Sequence, residues 1–257
     1  NKTTFTLGRV ARYLFKVFSK KYIAPSSKKE PFTYTIFRAL TGKDKVDQAY
    51  AKMIEKMIIA SVDHGVTPPS TQATIISASV RAPYEVAIAA GIGAITDIHG
   101  GAGAEAAKFF KKCVELARAN KDIDKRKSTR LVIEEYVSSG KRIEGLGHRI
   151  HTHDPRCEVL WQIAKEINIA KDCVEISKFV SEIFTRVRGI TLPINVDGVI
   201  GAIVADMNLS PSVAKAVFIY GRIAGLSAHY FEEITYHQPM RRINFSDAVY
   251  KPIPAKT

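Results

Sequence analysis

The sequence predicts an almost all-α protein. Apolar residues recur at helical spacing along most of the 257-residue chain. Helix start and stop residues, with Asp or Ser before Pro at one end and Gly at the other, punctuate those segments. Alternating runs of strand type are scarce, and no repeat at a solenoid period is present.

Taken in order, Phe5 to Tyr22 is basic and amphipathic. We expect a surface helix of the fold there, with a targeting helix as the alternative. Val46, Ala49, Tyr50, Met53, Ile54, Met57 and Ile58 then share one helix face. That helix should stop near Asp63-His64-Gly65, where Gly65 suits a C-cap. Pro68-Pro69-Ser70 begins another, running to about Val80, because proline suits a first turn. Glu85 to Ile95 is rich in Ala and Gly, so it should pack closely against a neighbour. His99-Gly100-Gly101-Ala102-Gly103 breaks it. Glu105 to Asn120 is helical again, Lys121 to Lys127 reads as a charged turn, and Leu131 to Ser138 as a short helix ending at Gly140.

A glycine loop follows, Glu144 to Arg156, closed by Asp154-Pro155. Arg156 falls in the first turn of a helix marked by Val159, Leu160, Ile163 and Ile167. Val174 to Val187 forms the next. Ile190 to Ile194 is extended by its proline and β-branched residues. Asn195-Val196-Asp197-Gly198 leads into an apolar helix, Val199 to Met207. Ser210-Pro211 starts the last helix, to Glu233. The tail from Thr235 is irregular.

Composition bounds the function. Hydrophobic residues make up 46% of the chain, ordinary for a globular protein. No run approaches the roughly 20 apolar residues of a membrane span. Cys113, Cys157 and Cys173 lack disulfide-framework and metal-ligand spacing, which fits a reducing cytoplasm. The formal charge of +13 favours anionic partners. Nucleic acid is disfavoured, because zinc-finger spacing, RNP-like aromatics and basic-zipper heptads are all missing. A phosphorylated cofactor together with a lysine-rich surface, including Lys108, Lys111, Lys112, Lys121, Lys125 and Lys127, accounts for the charge.

Four titratable residues sit at helix breaks beside glycine: His64, His99, His148 and Asp197. Histidine exchanges protons near neutral pH and a carboxylate serves as base. Gly145 and Gly147 let backbone approach a ligand closely. Arg156 and Arg222 suit bidentate pairing with substrate carboxylates. Metal binding is the weaker reading, because no His-x-x-x-His or Cys-x-x-Cys is present. Together these residues suggest a pocket for an anionic substrate that needs proton transfer.

Here a family resemblance enters. Gly147-His148-Arg149 with Asp154-Pro155-Arg156 resembles the Gly-His-Arg…Asp-Pro-Arg signature of the citrate synthase superfamily. Asp63-His64-Gly65, Ile98-His99-Gly100-Gly101-Ala102, Asn195-Val196-Asp197-Gly198 and Gly221-Arg222-Ile223-Ala224-Gly225 are similar to its other motifs, in order. The match runs from about residue 30 to 250. The short chain, and Ile194 to Gly201 with Met207, resemble the citryl-CoA lyase branch, both stand-alone and as a module of ATP-citrate lyase.

The resemblance implies a citrate synthase-like all-α fold. Residues 1–105 and 206–257 would form the large helical domain and 106–205 a small helical domain closing over the active site. It implies retro-Claisen cleavage of citryl-CoA to acetyl-CoA and oxaloacetate. The alternative is a short citrate or alkylcitrate synthase, which the histidine at position 99 favours. A non-catalytic CoA-binding or nucleic-acid-binding protein is the remote one. His148 would contact the citryl hydroxyl or the oxaloacetate carbonyl, His99 the thioester oxygen, and Asp197 would move the proton at the acetyl carbon. His64, Arg156 and Arg222 would hold carboxylates. The family also takes an arginine from the neighbouring subunit of a homodimer. Its usual Arg-Pro is Gln238-Pro239 here, so Arg242 is the best replacement and Arg241 the next. Lys141, Gly145 and Gly147 match the segment that binds coenzyme A. No metal is implied, and a separate citryl-CoA synthetase is the possible partner.

Overall fold

The computed structural model describes residues 31–147 and 152–240. Among them are ten helices and no strand. In chain order these are α1 (Phe32–Thr41), α2 (Gln48–Ala60), α3 (Pro69–Ser79), α4 (Tyr84–Gly93), α5 (Ala102–Ala119), α6 (Lys125–Ser138), α7 (Pro155–Glu166), α8 (Asp172–Arg188), α9 (Val196–Asp206) and α10 (Ser212–Tyr236). The all-α expectation is borne out. Two compact units divide the chain. One holds residues up to Asp63 and Ile95–Arg222, the other His64–Ala94 and Ile223 onward, so α10 contributes to both. The basic segment Phe5 to Tyr22 lies outside the described residues.

The first unit is built around α9. Nearly every residue of that helix is buried, including Val199, Ile200, Ala202, Ile203 and Val204. A helix apolar all round belongs inside a core. It lies close against α5 because glycines meet there. A Cβ on Gly201 would stand 2.6 Å from the Gly103 carbonyl and 2.8 Å from the Ala106 methyl. Its last residue, Asp206, turns outward to a neighbour. The carboxylate accepts from the backbone N–H groups of Lys171, Cys173 and Val174 at 2.7, 3.0 and 2.9 Å. It thereby caps α8, whose own N-cap Lys171 makes no side-chain capping bond. The three cysteines are buried thiols.

The second unit packs α3 and α4 with the end of α10 around Ala78, Ala87, Ile88, Leu226 and Tyr230. Gly91 makes the contact possible, since a Cβ there would lie 2.9 Å from the Ser70 carbonyl. Arg81 donates to the carbonyl of Glu233 in the last turn of α10 and to that of His237 just beyond it. The small-residue helix α4 buries only part of its surface. Val86, Ala89, Ala90 and Gly93 are exposed, as are Ile76 of α3 and Val80 just after it.

Several boundaries differ from the sequence reading. Helix α10 runs on to Tyr236, so Thr235, where the sequence reading starts an irregular tail, is still helical. Gly65, with φ +74°, stands in a loop, while α2 closes at Ser61. Lys125 to Lys127 is the first turn of α6 rather than a turn of its own, because the Asp124 carboxylate accepts from Lys127 N at 2.7 Å. Helix α5 starts at Ala102 rather than Glu105, since Gly101 already serves as its N-cap. Helix α9 starts at Val196, since Asn195 accepts from Gly198 N at 3.1 Å. The last shift moves Asp197 from the approach to the helix into its first turn.

Candidate active site

Asp197 stands at the N-terminal end of α9, partly buried. Burial pushes its carboxyl up to about 6; Arg156 and Arg222 pull it down, while Asp154 and Glu144 push it further up. That value suits a group asked to hold and release a proton near neutral pH.

The glycine loop is bound to the start of this helix. Gly147 N donates to Pro193 O at 2.7 Å, and Asn195 N donates to Gly145 O at 3.0 Å. The Asn195 amide also donates to Gly147 O at 2.8 Å while its oxygen caps α9. Gly145, at φ +86°, has no room for a side chain, since a Cβ would meet Gly198 Cα at 2.5 Å. Gly147 also has a positive φ, but among the described residues only Leu192 comes within 4 Å of its Cβ position. Lys141 is exposed just before this loop, its ammonium 5.9 Å from the Tyr136 ring centre.

Both candidate arginines reach the C-terminal end of α2. Arg156 Nη1 donates to Ala60 O at 3.3 Å, and Arg222 Nε to Ser61 O at 3.2 Å. The negative end of a helix dipole favours cations there. Arg222 is only 2% exposed. Burial lowers its pKa; Asp63 and Asp197 oppose that, and Arg156 adds to it. Close packing of α10 on α2 sets this geometry, as a Cβ on Gly221 would sit 2.3 Å from Ile58 O. A small apolar cleft between α2 and α7 lies beside Arg156, lined by Ile59, Val159 and Ile163 among others.

Phe218, which the sequence reading passed over, links two of the candidates. Its ring lies under the Arg222 guanidinium at 4.8 Å and meets the His99 ring edge-on at 6.2 Å. It also fills the space where Gly100 would carry a Cβ, 2.2 Å from the ring. His99 is half-buried, in a tight loop where His99 N and O pair with Thr96. The sequence signal for Phe218 was Gly100, whose missing side chain marks an approaching group.

The first unit thus holds Asp197, Arg156, Arg222, His99, Gly145 and Gly147, with Asp197 in the field of both arginines. His64 is half-buried at the start of the second unit. His148, Arg241 and Arg242 lie outside the described residues. Among the described residues no cluster of His, Cys, Asp or Glu is arranged to hold a metal, and no helix is long and apolar enough to cross a membrane.

With this geometry established, comparison with known proteins decides the family. The family described as "Citrate synthase, C-terminal domain" matches residues 4–243. The chain belongs to the citrate synthase family. Members of that family are lyases or acyltransferases. A citryl-CoA lyase from Hydrogenobacter thermophilus is 30% identical, with a TM-score of 0.75 over 95% of this chain and 89% of its own. The ATP citrate lyase of Methanosaeta concilii, a D541A mutant solved with (3S)-citryl-CoA, gives a TM-score of 0.72 at 22% identity, over 88% of this chain and 38% of its own. At that identity it shows the shared fold alone. ATP-citrate synthase beta chain protein 1 of Arabidopsis thaliana is 26% identical over 232 residues, 84% of this chain and 36% of that one. A citrate synthase of Synechocystis sp. is 25% identical over 211 residues, 79% of this chain and 49% of its own. The chain therefore spans roughly a third to a half of the length of these curated relatives.

Proposed function

We propose that this member of the citrate synthase family is a citryl-CoA lyase, cleaving citryl-CoA to acetyl-CoA and oxaloacetate. The observation that carries the chemistry is a carboxyl raised to about 6 at a helix start, with two arginines in its field. Support for the cleavage direction comes from the Hydrogenobacter thermophilus lyase, which matches this chain over nearly the full length of both.

In the reaction His148 takes the citryl hydroxyl proton. The alkoxide collapses to the oxaloacetate ketone, and the electron pair of the broken C–C bond passes into the acetyl-CoA enolate. His99 donates a hydrogen bond to the enolate oxygen, where charge develops. Protonated Asp197 delivers its proton to the acetyl carbon. His64, Arg156 and Arg222 hold the carboxylates, joined by Arg242 of a second subunit, with Arg241 the next choice. Coenzyme A lies along Lys141, Gly145 and Gly147, where lysine meets phosphate as a point charge and open glycine backbone approaches the ligand. Closure of residues 106–205 over a large domain of 1–105 and 206–257 belongs to the same proposal. So do a cytoplasmic location and a separate citryl-CoA synthetase as supplier.

Citrate synthesis is the second reading, supported by the imidazole at His99. Oxaloacetate release from citryl-CoA, compared with condensation of acetyl-CoA and oxaloacetate, separates the two. Cleavage needs Asp197 protonated, so its rate should fall as pH rises through about 6. Condensation needs the carboxylate and should rise through the same pH. No turnover in either direction would end the enzymatic reading.

The protein should be a homodimer in solution. The exposed apolar face of α3 and α4, with Ile76, Val80 and Val86 64%, 62% and 50% exposed, is the kind of surface a second copy covers. Sedimentation equilibrium at micromolar concentration checks this, and a fully active monomer would overturn it.

A further inference from the structure

The Asp154 carboxylate is 1% exposed and holds two separate elements. One oxygen accepts from Arg156 N at 3.1 Å and from Arg156 Nε at 2.9 Å. The other accepts from Arg156 Nη2 at 2.8 Å and from Val196 N, the first residue of α9, at 3.2 Å. Asp154 is therefore more than the N-cap of its own helix α7. The fork it makes with Arg156 uses the side of the guanidinium formed by Nε and Nη2, and Nη1 reaches Ala60 O. That fixes the plane of the guanidinium and keeps a donor on each terminal nitrogen uncommitted to these partners. The fourth bond ends one residue before Asp197.

We propose that Asp154 is a positioning residue that sets Arg156 and the Asp197-bearing end of α9 in one register, so that the carboxylate anchor and the proton-transfer group hold a fixed separation. Aligning a substrate held at one end with a proton donor at the other is where small displacements are most costly. The inference rests on the reading that Asp197 transfers the proton and Arg156 holds a substrate carboxylate.

Asp154→Asn keeps the shape but turns an N–H₂ toward donors and leaves Arg156 without its counter-charge. The groups around Asp197 are Arg156 of α7, Arg222 of α10, and Asp154 and Glu144 of the flanking loops. Removing the Asp154 charge takes away an upward push and unmasks Arg156. The pH limb belonging to Asp197 should move to lower pH. The KM for the tricarboxylate or dicarboxylate substrate should rise on the order of 10–100-fold, while the Kd for free coenzyme A changes less than about threefold. Asp154→Glu retains the charge but displaces it by a methylene. It should leave the pH limb in place with KM still raised, and it tests the assignment even if the asparagine variant does not fold.

An unshifted limb with unchanged KM in either folded variant would overturn the proposal. So would a parallel loss of coenzyme A affinity, the mark of general loosening. Wild-type enzyme without turnover in either direction would instead fail the functional reading beneath it.

Discussion

Asp197→Asn is expected to bind citrate and coenzyme A as the wild type does, yet to turn over on the order of 10²–10⁴ more slowly. Asparagine matches the shape of aspartate and caps helices about as well. A first-turn residue that only stabilised α9 would tolerate the exchange with nearly full activity. A residue that carries a proton would not. The same substitution should raise stability at neutral pH, and the sign follows from burial. The folded-state pKa of about 6 lies above the ordinary carboxylate value. Above pH 6 the folded protein carries a charge that is more easily borne in the unfolded chain, a penalty on the order of 1–3 kcal/mol. Below about pH 4 both states are neutral and the penalty vanishes. The variant should therefore melt higher than wild type at pH 7 and converge with it near pH 4. Single-turnover cleavage at the wild-type rate would return Asp197 to a capping role, and equal melting at pH 7 would show that its burial is not costly.

The second large effect is expected from Gly145→Ala. Alanine at φ +86° is strained by about 1–2 kcal/mol. The methyl also meets backbone, 2.5 Å from Gly198 Cα and 2.9 Å from Gly198 N, which cannot swing aside as a side chain would. Overpacking of that kind costs about 1–3 kcal/mol more. A total loss of about 2–5 kcal/mol in urea unfolding is expected. In the molecules that do fold, the start of α9 is displaced, and activity should fall by about 10²-fold. Gly140→Ala is the control. Its φ is +68° but no described residue lies within 4 Å of the added carbon, so the conformational cost of about 1–2 kcal/mol is what is expected. Equal effects at the two positions would show that the contact with Gly198 is unimportant.

Much of this architecture is legible in one dimension. Helices α2, α3, α7 and α8 follow from periodicity and from proline and aspartate at their starts. Asp154-Pro155 places Arg156 in a first turn, and the structure puts it there. The motif order around His99, Gly147, Arg156, Asp197 and Arg222 points to the citrate synthase family, which the match over residues 4–243 shows. What sequence does not carry is the identity of partners. The Asp124 cap of α6 was hidden by the lysines that follow it, because a run of charge resembles a loop until its capping acceptor is recognised. Phe218 reads as one more apolar residue of a long helix. Gly100 marks that some group approaches there, but not that the group is Phe218 or that its ring lies between His99 and Arg222. The bonds of Asp154 to Val196 and of Asp206 to the start of α8 span 42 and 32–35 residues and follow from tertiary packing alone.

The end of α2 has a kinetic consequence. Arg222 is shut away from bulk electrolyte, held by the Ser61 carbonyl and an aromatic face. Dissolved ions screen exposed charges over about 8 Å at physiological ionic strength, but reach a buried guanidinium poorly. Under the proposed function, in which Arg222 holds a substrate carboxylate, the lysine-rich exterior and the interior arginine act on different stages of an anion's visit. Surface charge sets how often anions arrive, and added salt slows that arrival. The dwell time of an anion that has reached Arg222 is governed by contacts that salt scarcely reaches. On that proposal capture and retention are physically separate, the first open to the ionic medium and the second insulated from it.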